Sequence, residues 1–121
     1  MSIARQTTAK SVRPLDGALV RRFTPGATIA VGEIVSMSSD GYVDPADTTS
    51  AAACVVGIAL EAATGEGAPG KIDIVVWGPV TAITGGTAGS PLHACDTAGE
   101  PAESAGSNAG IAGFVESATV A

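Results

Sequence analysis

Lys71-Ile-Asp-Ile-Val-Val-Trp77 decides the fold. Ile72, Ile74 and Val76 fall on one side of an extended segment, and Lys71, Asp73, Val75 and Trp77 on the other. That period of two, in residues that are mostly β-branched, specifies a strand with one face toward a core. Pro69-Gly70 before it and Gly78-Pro79 after it read as turns. Outward from this strand the same grammar repeats. Leu19–Phe23, Glu33–Ser38, Cys54–Leu60, Val80–Thr84, Pro91–Cys95 and Ile111–Glu116 are short strand candidates, separated by Pro25-Gly26, Asp40-Gly41, Gly65, Gly85-Gly86 and the 104–110 loop. No window of helical length carries apolar residues at i, i+3, i+4 and i+7 without an intervening Gly or Pro. The expectation is an all-β fold, a small barrel or sandwich of short antiparallel strands.

A weak internal echo runs through this pattern. Gly32-Glu33-Ile34-Val35 leads through a polar hairpin to Val56-Gly57-Ile58-Ala59, and Gly89-Ser90-Pro91-Leu92 leads through another to Ala112-Gly113-Phe114-Val115. Two similar β units would place Gly57 and Gly113 at equivalent bends or close backbone approaches. Coincidence among common residues is the alternative.

Charge is distributed as unevenly as the strands are evenly. Arg5, Lys10, Arg13, Arg21 and Arg22 face one carboxylate, Asp16, in the first 22 residues, a local charge of +4. From Phe23 onward Lys71 stands alone against eleven acids, a charge of −10. A basic segment on an acidic body marks a binding tail. The acidic body repels phosphates, so nucleic acid is not the expected partner and an acidic protein surface is. The chain has 121 residues, enough for one domain, but Val, Ile, Leu and Phe together number only 26 while Gly and Ala number 39. A core this thin gains from association with copies of itself or with a larger surface. Residues 1–10 are polar and contain no apolar stretch of signal-peptide length, and no run approaches the roughly 18 apolar residues of a membrane span. The expected site of synthesis is a cytoplasm, with no membrane partner. Cys54 and Cys95 form no CxxC pair and read as two small buried hydrophobes.

The chemistry-bearing motifs resolve into ordinary structure. Gly65-Glu-Gly-Ala-Pro-Gly70-Lys71 resembles a phosphate-binding loop, but the position after the lysine is Ile72 and the lysine opens a strand rather than a helix. A turn is the better reading. Asp40, Asp44 and Asp47 lack the alternating spacing of a calcium loop and read as a solvated acidic stretch. His93 and Cys95 share a strand face, yet two ligands do not make a zinc site and a catalytic base is normally brought to its thiol from elsewhere in the fold. No catalytic, cofactor-binding or metal-ligating set is expected, and the chain is read as a non-enzyme. Trp77 closes the best strand, either as core packing or as an exposed anchor for a partner.

The stretch from Val55 to Val80, with Val56-Gly57-Ile58-Ala59-Leu60-Glu61-Ala62-Ala63, a Gly-rich turn, the alternating strand and the Gly78-Pro79-Val80 exit, resembles the small capsid decoration (cement) proteins of tailed bacteriophages. Thr87–Gly99 and Ala109–Ala118 are similar to that family's second half, so the resemblance covers about residues 17–118. It implies a compact β-barrel or β-tulip-like body, residues 17–121, with an extended N-terminal docking arm, residues 1–16. It also implies a structural virion protein on the outer capsid surface, often trimeric, that stabilises the mature head by bridging capsomers. The partners would be the major capsid protein and other copies of this chain, and the protein would be made in the bacterial host cytoplasm. Arg5, Lys10 and Arg13 would then pair with capsid carboxylates, Ile3, Val12 and Leu15 would be apolar anchors, and Arg21 and Arg22 would continue the contact at the base of the body. Two alternatives stay open: another virion surface or tail protein that binds host glycans, and a small cytosolic β-barrel binding module.

Overall fold

A computed structural model describes residues 4–5, 12–48, 54–68, 70–81, 83–84, 86, 88–103, 106–108, 110–115 and 120. Among them the chain is all-β, with no helix. The strands are β1 (Ala4–Arg5), β2 (Arg13–Pro14), β3 (Leu19–Phe23), β4 (Thr28–Ile29), β5 (Ile34–Met37), β6 (Val43–Pro45), β7 (Val55–Ala59), β8 (Ala63–Thr64), β9 (Ile72–Trp77), β10 (Val80–Thr81), β11 (Ile83–Thr84), β12 (Pro91–Ala94), β13 (Pro101–Ala102) and β14 (Ile111–Phe114). A five-stranded antiparallel sheet in the order β3-β9-β7-β5-β6 forms the body, and a three-stranded sheet β13-β12-β14 forms a second layer. Three two-stranded ladders, β1-β11, β2-β10 and β4-β8, tie the remainder to these layers.

The decisive strand sits next to the middle of the large sheet, between β3 and β7. Its first face behaves as the alternation requires. Ile72 and Ile74 are fully buried and pack with Ile29, Val35, Val43, Ala59 and Ala63. The other face is not the polar one that its lysine and aspartate suggest. Val75 is buried there and joins a second core with Ile34, Ile58, Val80, Leu92 and Val115. The sheet therefore carries a small core on each side, and the three-stranded layer covers the second. At roughly 1.5–3 kcal/mol for each large aliphatic side chain buried, neither core alone offsets the ordering of so many residues, so the two act together.

The two echoing segments have the same backbone plan. In the first unit β5 lies between β6 and β7, and in the second β12 lies between β13 and β14. Ile34, Val35 and Ser36 pair with Ile58, Gly57 and Val55, skipping Val56. Pro91, Leu92 and His93 pair with Phe114, Gly113 and Ile111, skipping Ala112 at the same place. The hairpins agree as well: Met37 opposes Val43 in one, Ala94 opposes Pro101 in the other. Gly32 and Gly89 both have φ 86°, and Gly41 and Gly99 have φ 84° and 78°. The Gly32 amide donates to the Ala59 carbonyl at 2.8 Å, and the Gly89 amide donates to the Val115 carbonyl at 2.8 Å. Matching bulges and left-handed turns at matching residues make the repeat structural rather than a coincidence of composition.

The 1–16 segment is not a free arm where it is described. Arg5 pairs with Ile83 in the β1-β11 ladder, and Arg13 and Pro14 pair with Thr81 and Val80. Val12 is 3% exposed and belongs to the second core. The body thus begins by Val12 rather than at residue 17, because a β-branched residue three positions before Leu15 is needed to fill that core.

Gly57 is the tightest point of the large sheet: a Cβ there would overlap the Val75 carbonyl of β9, with the carbonyl carbon at 2.8 Å. Gly57→Ala should therefore cost at least about 2 kcal/mol in urea unfolding, since backbone cannot yield as a side-chain tip does. Gly65, whose Cβ would meet open space, should accept alanine with a change within about 0.5 kcal/mol. Equal midpoints for the two variants would refute the close approach.

Candidate functional site

The inner strands β7 and β9 of the large sheet and the second layer leave an apolar groove of about 570 Å³ between them, lined from β7 by Val55–Ile58, from β9 and its exit by Val75–Val80, and from the second layer by Leu92 and Ala112–Phe114. It opens where the two layers diverge. Below the opening β7 and β9 pair only at Ile58–Val75 and Ala59–Ile74. Trp77 and Phe114 stand on the groove's lining at 76% and 64% exposure. Among the described residues, Ile111, Leu19, Val20 and Leu15 are the other large apolar side chains left in water. Isolated exposed apolar residues are ordinary, but a tryptophan and a phenylalanine on one groove are not.

Local chain geometry explains why Trp77 is held out. Leu19 is its partner across the β3-β9 ladder. Gly78, at φ 92°, turns the chain directly beneath the Gly17–Ala18 backbone, where a Cβ would sit 2.7 Å from the Gly17 carbonyl oxygen. The Leu15 amide donates to the Pro79 carbonyl at 3.0 Å, which fastens that turn to the start of the body. Leu19 and Trp77 thus oppose each other at one corner of the sheet, and Leu15 is fastened to the turn that leaves it. Core packing, one of the two readings of Trp77, is overturned by its 76% exposure.

The expected docking residues are placed as follows. Ile3 and Lys10 lie outside the described residues. Arg5 lies in β1, Arg13 in the exposed β2, and Leu15 is exposed at the residue whose amide meets the Pro79 carbonyl. Val12 is buried, so it cannot contact a partner without leaving the core. Arg21 and Arg22 are exposed on β3. Arg21 lies 5.7 Å from the centroid of the Phe23 ring. Arg22 pairs with Asp73 at 3.2 Å and donates to the Lys71 carbonyl at 2.6 Å, a solvated contact worth about 0–1 kcal/mol. Ile111, Phe114 and Leu19 carry no flag in the sequence beyond one: Ile111-Ala-Gly-Phe114 has no polar residue to face water, which a strand at a sheet edge would need.

Other groups divide between turn chemistry and structural locks. Gly65 and Ala68 form an antiparallel bridge, and Gly67 and Gly70 have φ 67° and 129°, so the lysine-bearing glycine loop is a turn into β9. Asp40 accepts from the Ser38 hydroxyl at 2.5 Å and the Tyr42 amide at 2.9 Å, and those bonds hold its carboxyl below the usual range. Among the described residues no three His, Cys, Asp or Glu side chains gather as metal ligands. Both cysteines are free thiols. Cys54 is exposed, against the expectation of burial, because it precedes β7 where the chain emerges from the sheet. Cys95 is half-buried, its Sγ 3.4 Å from the Glu100 carbonyl. His93 is half-buried on β12, with a buried Nδ1 that meets no partner.

The loop that delivers β14 is held by one carboxylate. Asp96 accepts from the Ser107 hydroxyl in a short contact, from the Ser107 amide at 3.0 Å, and from the hydroxyl of the fully buried Thr48 at 2.7 Å. Asn108 donates to the Thr48 carbonyl at 2.7 Å. These bonds fix the loop three residues before Ile111 and so set the position of Phe114 on the groove.

No protein-family model, no curated protein and no solved structure matches this chain.

Asp96 is held below the ordinary carboxylate range, first by the Ser107 hydroxyl, then by the Ser107 amide and the Thr48 hydroxyl. A depressed carboxyl contributes stability that is full above the unfolded value, near 4, and is lost as pH falls through the folded value. Ser107→Ala should raise the Asp96 pKa toward the ordinary range in a carboxyl NMR titration. The stability gap between the two proteins should be full at neutral pH and should close in acid. A gap unchanged below the Asp96 transition would show that Ser107 acts through something other than this carboxylate.

Proposed function

We propose that this protein is a structural component of a bacteriophage virion that binds the outer capsid surface and stabilises the mature head by bridging capsomers. The observation that carries the reading is the exposed corner of Leu15, Leu19 and Trp77, a hot-spot-like aromatic anchor held out of the protein's own core. Arg13, in the strand that precedes Leu15, is exposed beside it, and Arg21 and Arg22 follow Leu19 on β3. Tryptophan and arginine are the residues most enriched where binding energy concentrates. The sequence resemblance to capsid decoration proteins supports the same reading, and so does the thin, divided core. The major capsid protein is the partner in this reading, with further copies of this chain, as a homotrimer, completing the assembly. Basic side chains on the corner meet capsid carboxylates, so that charge sets encounter and register while the apolar corner sets residence time.

A second reading, a tail or surface protein for host glycans, draws on the Trp77 and Phe114 rings along one groove. An apolar lining without converging hydroxyl, amide or carboxylate groups suits a protein partner better than a sugar.

Because Val12 is in the core, truncation through residue 14 would remove a core side chain together with the docking residues and cannot by itself test docking. Point substitutions can. Trp77→Ala is expected to leave thermal stability close to that of the parent and to lower affinity for expanded, undecorated heads at least tenfold in co-sedimentation, with Arg13→Glu giving a smaller loss that shrinks as salt is raised. Undiminished binding by folded Trp77→Ala would remove the corner from the contact, and no binding of the parent protein to any head preparation would overturn the capsid reading.

A further inference from the structure

The two repeated units differ in what lies beside them, and Gly113, unlike Gly57, has a positive φ of 149°. In the first, β7 has a second neighbour: β9 lies antiparallel along it and presses the Val75 carbonyl against Gly57. In the second, β14 occupies the place of β7, but it is the end strand of its sheet among the described residues. Gly113 stands where Gly57 stands in the register, and nothing lies within 4 Å of its Cβ position. Ile111 and Phe114 are 70% and 64% exposed on that uncovered strand. The second unit therefore has a glycine with open space at its Cβ position, exposed apolar side chains and, among the described residues, no strand that covers them.

One other long strand ends a sheet in the same way. β3 is the outer strand of the five-stranded sheet, with Leu19 and Val20 exposed at 53% and 38% and Arg21 and Arg22 in water. Its two arginines discourage β3 from pairing with another β3, as charges on sheet edges do. They suit the remainder of the chain, which carries −10 from Phe23 onward while the first 22 residues carry +4. β14 has no charged residue to resist pairing.

We infer that β14 is the docking edge for a second copy of this chain, whose β3 lies along it as an added antiparallel strand, in the place that β9 holds beside β7. The contact is head-to-tail: each copy offers β14 to one neighbour and β3 to another, so one kind of contact covers both open edges, and a ring forms where the rotation between copies closes. Pairing of β14 with itself across a twofold would cover one edge and leave β3 open. The inference shares β3 with the capsid-docking reading and supplies a contact between the copies that reading invokes, but association of the protein without capsid tests it separately.

Two exposed substitutions separate the arrangements, Phe114→Lys to block β14 and Val20→Lys to block β3, each checked for an unchanged thermal midpoint and circular dichroism spectrum. In sedimentation velocity the parent protein should associate with rising concentration, and each variant alone should be monomeric to at least tenfold higher concentration. An equimolar mixture of the two should form a 1:1 dimer and nothing larger, because one intact β3 meets one intact β14. Loss of association in Phe114→Lys with none in Val20→Lys would assign a twofold β14 contact and overturn the proposal. So would a parent protein that stays monomeric at several hundred micromolar, about a thousandfold above the concentrations at which stable oligomers persist.

Discussion

The constraint on which the rest depends is the passage of β9 between β3 and β7. One of its faces supplies Ile72 and Ile74 to one core, the other supplies Val75 to the second, and its backbone runs so close to β7 that only glycine fits at position 57. A single strand thus joins two cores that are each too small to hold a sheet of this size. The positions of Trp77 and Leu19, and of the groove, follow from where β9 leaves the sheet at Gly78-Pro79. The exposed corner is in this sense the end of the structural strand.

Much of this was legible in the residues. The bounds of β3 are the expected Leu19–Phe23, and β5, β7, β9, β12 and β14 fall within the expected segments, because short β-branched runs between Gly and Pro turns allow little else. The repeat was visible as an echo, and the glycines that carried it are the ones the backbone requires. Three things were not legible. Val75 looks like a residue on a polar face until the second layer is known to cover it. Val12 looks like part of a basic tail, because one valine among polar residues has no period. Cys54 looks buried by type, though its exposure is decided by where β7 begins. Each depends on contacts between segments far apart in sequence, which local pattern does not encode.

The charge asymmetry acquires a spatial meaning. Arg13, Arg21 and Arg22 follow the outer strands β2 and β3 rather than a free tail, and Arg22 is already engaged with Asp73 of the neighbouring strand. Basic side chains on ordered strands lose less entropy on binding than the same charges on a disordered segment, so a contact through them is narrower but better oriented. Acidic groups elsewhere serve turns: Asp40 ties its own hairpin and Asp96 ties the loop before β14.

The placement of β1 and β2 also sets an order in time. Ala4–Arg5 pairs with Ile83–Thr84, and Arg13–Pro14 pairs with Val80–Thr81. β1 and β2 have no partners until residues 80–84 have been made, whereas β5, β6 and β7 can pair as a local three-stranded unit much earlier. Such late, non-local closures slow the folding of β proteins. Until residue 84 emerges, Arg5 and Arg13 of a nascent chain have no ladder to join, so the basic segment stays available while the first repeated unit is already able to form.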